Sequence, residues 1–76
     1  MTGVFPLAMA KVGEELRLKS IHGGEKLVHR LTALGLTPGV TFSIVQDNGG
    51  PLLVSVMDSR IALGRGMAQK VMVSMK

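Results

Sequence analysis

Residues 31–39 read LTALGLTPG, and this stretch marks where a helix ends and a strand begins. Apolar side chains precede and enter it with helical spacing, at Leu27, Val28, Leu31 and Leu34. That spacing places them on one face of an amphipathic helix, which we predict over about Glu25 to Leu34. Gly35 then favours the left-handed conformation that closes a helix, and Leu36 can fold back onto the last turn.

The second half of the stretch predicts a turn into a strand. Pro38 prevents the helix from resuming and biases Thr37 toward extended geometry. Gly39 suits the third position of a type II turn, so the strand is expected to start at Val40. We expect the other strands to surround this helix.

Alternating apolar residues and turn signals predict the remaining strands. We expect a short first strand to begin at Pro6 and Leu7. The other expected strands are Glu14 to Ile21, 40–45, 52–57, Arg60 to Leu63, and Val71 to Val73. Turns are expected at 47–51 and at Asp58 and Ser59, and a single helical turn at Met67 to Lys70. Five to six short strands with one inserted helix indicate a mainly β fold, a small barrel whose closure removes exposed edges.

Composition limits the classes of protein. Seventy-six residues predict a single domain, 1–76, and the absence of cysteine excludes disulfides and thiolate metal sites. Hydrophobic residues make up 46% of the chain, yet only Phe5 and Phe42 are aromatic, so the core must be aliphatic. The segment Met1 to Ala10 lacks the basic start and the length of a secretion signal, which favours a cytoplasmic location.

The positive charge is concentrated near the C-terminus of the sequence. Residues 1–59 hold five basic and five acidic side chains, whereas residues 60–76 hold four basic ones and no acid. The four are Arg60, Arg65, Lys70 and Lys76. This excess predicts either attraction to an acidic partner or a solvated edge that keeps the protein soluble.

Catalysis and two kinds of binding are disfavoured by the residue types. There is no cysteine nucleophile, no phosphate-binding glycine loop and no cofactor motif, so we expect no enzyme activity and no cofactor. Without Trp or Tyr, the chain lacks an aromatic groove for proline-rich peptides and stacking platforms for nucleic acid bases. Phosphate contacts through Arg60, Arg65 and Lys70 would be weak and salt-sensitive.

Metal binding has one candidate pair. Glu25 and His29 are four residues apart on the predicted helix and can share a cation, with His22 as a distant third ligand. Two ligands would hold an ion only loosely, so we expect at most adventitious binding. The six methionines form no Met-x-x-Met cluster and suit gap-filling in the core.

Several motifs together resemble the FeoA family of ferrous iron transport proteins. They are Ile21-His22-Gly23-Gly24, Arg30-Leu31, Leu34-Gly35-Leu36, Pro38-Gly39, Ile61-Ala62-Leu63, Ala68 and 71–73. The resemblance implies an SH3-like barrel, shared with the C-terminal domain of iron-dependent repressors, that acts in bacterial cytoplasm beside the FeoB permease. Many members carry Arg directly after the Ala-Leu pair, whereas this chain has Gly64 there and Arg65 one position later.

We therefore expect a non-enzymatic accessory protein that binds and modulates a FeoB-type permease. The expected contact residues are Lys26, His29, Arg30, Thr37 and Pro38. Alternatively, an apolar patch could allow weak homo-oligomerisation. Its residues would be Met57, Met67, Met72 and Met75. The rival functions are a basic SH3-like module of a transcriptional or nucleic-acid-binding protein, and a weak metal-ion carrier.

Overall fold

The computed structural model describes residues 3–76, so Met1 and Thr2, the start of the segment considered for secretion, lie outside the described residues. Within residues 3–76, six strands and two helices follow one another. The strands are β1 Phe5–Pro6, β2 Glu15–Ile21, β3 Thr41–Asp47, β4 Leu52–Val56, β5 Ser59–Leu63 and β6 Val71–Met75. The helices are α1 Glu25–Ala33 and the single turn α2 Arg65–Ala68, and a 3₁₀ turn covers Leu7–Met9.

The end of α1 has the predicted geometry. Gly35 adopts a φ of 92°, and its N–H donates to the Thr32 carbonyl at 3.0 Å. The Leu36 N–H donates to the Leu31 carbonyl at 2.9 Å. These two hydrogen bonds form a Schellman motif, in which the residue after the glycine packs back on the helix. Leu31 and Leu36 are both fully buried, so the predicted contact is confirmed.

The following turn delivers the chain to the sheet beside β2. Val40 donates its N–H to the Thr37 carbonyl at 3.1 Å, and Gly39 has a φ of 94°, as a type II turn requires. The Gly39 N–H then donates to the Leu18 carbonyl at 2.8 Å, and the Leu18 N–H donates to the Val40 carbonyl at 2.9 Å. The regular strand begins at Thr41, one residue later than predicted.

The sheet is antiparallel and curled but not closed. Its strand order is β1-β6-β2-β3-β4-β5, so β1 and β5 are edges, and no pairing joins them among residues 3–76. The prediction that closure removes the edges is therefore wrong, although the SH3-like, mainly β fold is confirmed. The turn at Leu7–Met9 and α2 follow the two edge strands and contact each other, which partly covers the gap.

The helix lies outside the strands and is not surrounded by them. Leu31 is the only residue of α1 that is buried, and Leu27 is half-buried against the core. Val28 and Leu34 are exposed by 37% and 41%. The predicted apolar face forms, but only its central residues reach the core, because the sheet curls around its own side chains.

The core is aliphatic, as the composition predicts. It contains fifteen buried apolar residues, fourteen of them aliphatic. They are Leu7, Ala10, Leu16, Leu18, Leu31, Leu36, Phe42, Ile44, Leu52, Val54, Val56, Leu63, Ala68, Val71 and Val73. None of the helices within residues 3–76 is long and apolar enough to cross a membrane.

Three local predictions differ from the structure in position. The first strand is Phe5–Pro6, and Leu7, which was expected in it, begins the 3₁₀ turn. The β4–β5 turn is formed by Met57 and Asp58, with φ values of 47° and 69°, and not by Asp58 and Ser59. Ser59 instead pairs with Val56 as the first residue of β5. The single helical turn begins at Arg65, two residues before the predicted start at Met67.

The closure of α1 gives a test at Gly35. We expect Gly35→Ala to lower the free energy of unfolding by about 1 kcal/mol or more, because an L side chain is strained at positive φ. The nearest atom to the new Cβ would be Val56 Cγ1 at an ordinary 3.8 Å, so the cost would come from the backbone. Urea denaturation measures it. Gly66→Ala is the control, since Gly66 has open space and lacks a positive φ; an equal loss there would contradict the assignment.

The β4–β5 turn gives a second test, at Met57. A two-residue hairpin with both φ angles positive favours Asn or Gly over Met. We therefore expect Met57→Asn to raise the free energy of unfolding by about 1 kcal/mol. Met9→Asn is the matched control, because Met9 is 70% exposed and Met57 is 75% exposed, but only Met57 has a positive φ. An equal gain in both variants would contradict the explanation, because replacing any exposed methionine with asparagine would then be sufficient.

Candidate interaction surface

The exposed side of α1 borders a shallow depression. It has a volume of about 660 Å³ and is lined by Gly23, Glu25, Lys26, Val28, His29 and Thr32. Lys26 and His29, two of the predicted contact residues, therefore face it. Arg30 is exposed one turn after Lys26 on the same side of the helix, outside the lining. The three helical residues of the predicted contact set are therefore all exposed on α1.

The other two predicted contact residues lie on a separate segment. Pro38 is exposed and Thr37 is half-buried in the turn that pairs with β2 at Leu18. Neither residue lines the depression along α1. The structure therefore divides the predicted set into a helical part and a turn part.

The candidate metal ligands do not gather into a larger set. Glu25 and His29 are both exposed on α1. His22, the proposed distant ligand, has its Nε2 3.2 Å from the Ser20 Oγ. No group of three or more His, Asp or Glu side chains suited to a metal ion occurs within residues 3–76.

Arg65 forms an internal contact that sequence reasoning missed. Its Nη2 donates to Asp47 Oδ1 in an ion pair, and its Nε donates to the Gly49 carbonyl at 3.4 Å. The same Asp47 oxygen accepts the Gly49 N–H at 3.1 Å, which stabilises the β3–β4 turn. Arg65 therefore links the start of α2 to this turn, and a phosphate would have to compete with Asp47. The Asp-Asn-Gly sequence was the available signal that Asp47 is held in a turn.

Ion pairing also changes the charge distribution expected from the sequence. Besides Arg65, Lys76 is paired, with its Nζ 3.3 Å from Glu15 Oε2. Arg60 and Lys70 have no ion pair within the described chain. The C-terminal excess of four cations is thus reduced by acids that belong to other strands.

The predicted methionine patch is divided between exposed and half-buried positions. Met57 lies at the β4–β5 turn and is 75% exposed, and Met75 near the end of β6 is 45% exposed. Met67 and Met72 are half-buried, and Met67 packs against the core. The gap-filling use of methionine therefore applies to Met67.

Comparison with known proteins identifies the family. The FeoA domain model matches residues 5–75 of the chain. The chain belongs to the FeoA family. A relative from Methanocaldococcus jannaschii, named putative Fe(2+) transport protein A, is 40% identical over 70 residues, which cover 92% of this chain and 85% of the relative.

Solved structures extend the similarity to the fold. The crystal structure of an iron uptake regulatory protein (FeoA) has a TM-score of 0.85 and 37% identity, covering 93% of this FeoA chain and 95% of the other. IdeR of T. acidophilum has a TM-score of 0.88 but 20% identity, and the match covers 97% of this chain and 35% of IdeR. The second comparison therefore supports the shared fold alone.

The Arg65–Asp47 pair can be measured by a double-mutant cycle with Asp47→Asn and Arg65→Gln. Both side chains are partly exposed, by 24% and 36%. We therefore expect a coupling free energy of about 0.5 kcal/mol that decreases in 1 M salt. The Glu15–Lys76 pair, exposed by 66% and 51%, should give a smaller value in a parallel cycle. Coupling near zero for Asp47 and Arg65 would mean that the pair does not hold α2 to the turn.

Proposed function

We propose that this FeoA-family chain is a non-enzymatic accessory protein of ferrous iron uptake that binds a FeoB-type membrane permease from the cytoplasm and modulates it. Iron is then the cargo of the transport system and not a resident cofactor of this chain. The observation that carries the proposal is the family match over residues 5–75. The M. jannaschii relative, named for Fe(2+) transport, supports the same system.

The chemistry of the chain supports an accessory role. The sequence has no cysteine and only five carboxylates, so it offers few groups for acid–base or nucleophilic chemistry. A small protein of this kind influences transport by binding to a larger one, and the free energy for that comes from contact with exposed residues.

The exposed side of α1 is the contact surface that we favour. Lys26, His29 and Arg30 lie there within two turns, and no described residue forms an ion pair with them. Val28 adds an exposed aliphatic side chain to the adjacent depression. The positive charges of Lys26 and Arg30 beside the exposed Val28 combine electrostatic steering with some burial of apolar surface. The turn at Thr37 and Pro38 is the second part of the proposed contact.

A binding titration against the purified cytoplasmic domain of the permease tests the proposal. We expect the wild-type chain to bind and Arg30→Glu to weaken binding by about fivefold or more, because reversing a charge at an interface removes one attraction and adds a repulsion. Pro38→Ala should weaken binding if the turn is part of the contact. Calorimetry or surface plasmon resonance gives the dissociation constants.

Arg60→Glu is the matched control. Arg60 is exposed on the edge strand β5 and has no ion pair within the described chain, so the same change of charge is made away from α1. No association at high micromolar concentration would contradict the proposed function. Association that is unchanged in Arg30→Glu and Pro38→Ala would contradict only the proposed surface.

A further inference from the structure

One end of the molecule collects cations from three separate segments. The His22 N–H donates to the Lys70 carbonyl at 2.6 Å, so Lys70 lies beside the C-terminal end of β2. Lys19 is exposed two residues before that end, at a register shift between β2 and β6. The helix α1 begins three residues after His22 and contributes Lys26 and Arg30, both exposed. We call Lys19, Lys26, Arg30 and Lys70 the basic end.

Little negative charge offsets the basic end. The cations lie in segments 18–30 and 69–72, and the turn at 37–40 is adjacent to β2. Glu25 is the single carboxylate in these three segments. Within the described chain, none of the four cations forms an ion pair. Of the remaining carboxylates, Asp47 and Glu15 are paired with Arg65 and Lys76, Glu14 accepts the Lys11 backbone N–H, and Asp58 lies in the β4–β5 turn, two strands from β2. The basic end therefore holds most of the net charge of +4.

The other end of β2 has a mixed charge. Glu15, at the far end of β2, pairs in register with Ser43, which pairs with Ser55, which pairs with Arg60. The Lys76 ammonium also contacts Glu15 at that end. The separation of a basic end from a mixed end gives the molecule a preferred orientation in the field of an anionic surface.

The chemistry of the basic end fits a broad anionic surface better than a groove-bound chain. Its cations come from a strand, a helix and a loop, and the depression beside them contains Glu25, which would repel a phosphate chain bound there. Base stacking needs exposed aromatic rings, but Phe42 is buried and Phe5 is half-buried. An anionic lipid surface requires only several cations within reach of one plane.

We propose that the basic end binds the surface of membranes that contain anionic phospholipids. Lys19 and Lys70 lie outside the contact surface proposed for the permease, so they report on lipid binding separately. The inference goes beyond the proposed function and does not need the permease for its test.

Co-sedimentation with unilamellar vesicles tests the proposal. The probes are vesicles of phosphatidylglycerol mixed with phosphatidylcholine, and vesicles of phosphatidylcholine alone. We expect binding to the anionic vesicles only, and loss of that binding when the salt is raised to about 0.5 M. Each of Lys19→Gln and Lys70→Gln should weaken partitioning about fivefold, and the double variant about 25-fold, because each cation contributes independently near a charged surface.

Arg60→Gln is the control with the same loss of charge at the mixed end, and we expect it to change partitioning by less than about twofold. Circular dichroism of the double variant checks that the fold is retained. No binding to anionic vesicles, equal binding to neutral vesicles, or equal weakening by Arg60→Gln would overturn the proposal. Soluble poly-aspartate that binds as tightly as the vesicles would also overturn it, in favour of an acidic protein partner.

Discussion

The hydrogen bond from the Leu36 N–H to the Leu31 carbonyl is the constraint on which the rest of the structure depends. It can form only because Gly35 adopts a positive φ, which reverses the chain within two residues. The reversal brings Leu36 onto Leu31, and these two buried side chains connect the helical segment to the core. The turn at Pro38 and Gly39 then brings the chain to β2, where the Gly39 N–H donates to the Leu18 carbonyl. The register of β3 on β2 follows from that contact.

Local signals predicted the elements of the fold because each is decided within a few residues. The helix, its glycine end and the alternating strands follow from steric and periodicity rules that act over one or two turns. What the helix packs against is a different question, since an apolar face is compatible with a central or a peripheral position. Leu27 and Leu31 reach the core, whereas Val28 and Leu34 are left exposed at the margins of the same face. The β4–β5 turn lies one residue earlier than predicted. Conformational propensity disfavours a methionine with positive φ, but the pairing of β4 with β5 outweighs that preference.

The sequence predicts which candidate contact residues lie together on the helix but not which charged side chains pair across the sheet. Lys26, His29 and Arg30 could be found from sequence, because helical spacing alone places them together. The partner of Arg65 could not, since Asp47 is eighteen residues away at the end of β3 whereas Arg65 begins α2. Counting charges along the sequence places the excess of positive charge in residues 60–76. In the structure, however, Arg65 and Lys76 form ion pairs with Asp47 and Glu15. The surface excess therefore appears at the basic end, where strand pairing brings Lys70 beside the end of β2.

The division between core and surface explains how one fold can serve different proteins. The buried residues come mainly from the strands, and α1 contributes only Leu31 fully, so the outer positions of α1 are not constrained by packing. IdeR shares the architecture at 20% identity, so this fold does not require one particular sequence. A substitution such as Arg30→Glu changes the charge presented to a partner but leaves every core contact in place. Substitutions on the outer side of α1 can therefore change the surface charge without removing a buried side chain, so a test of the proposed contact surface can be separated from a loss of stability.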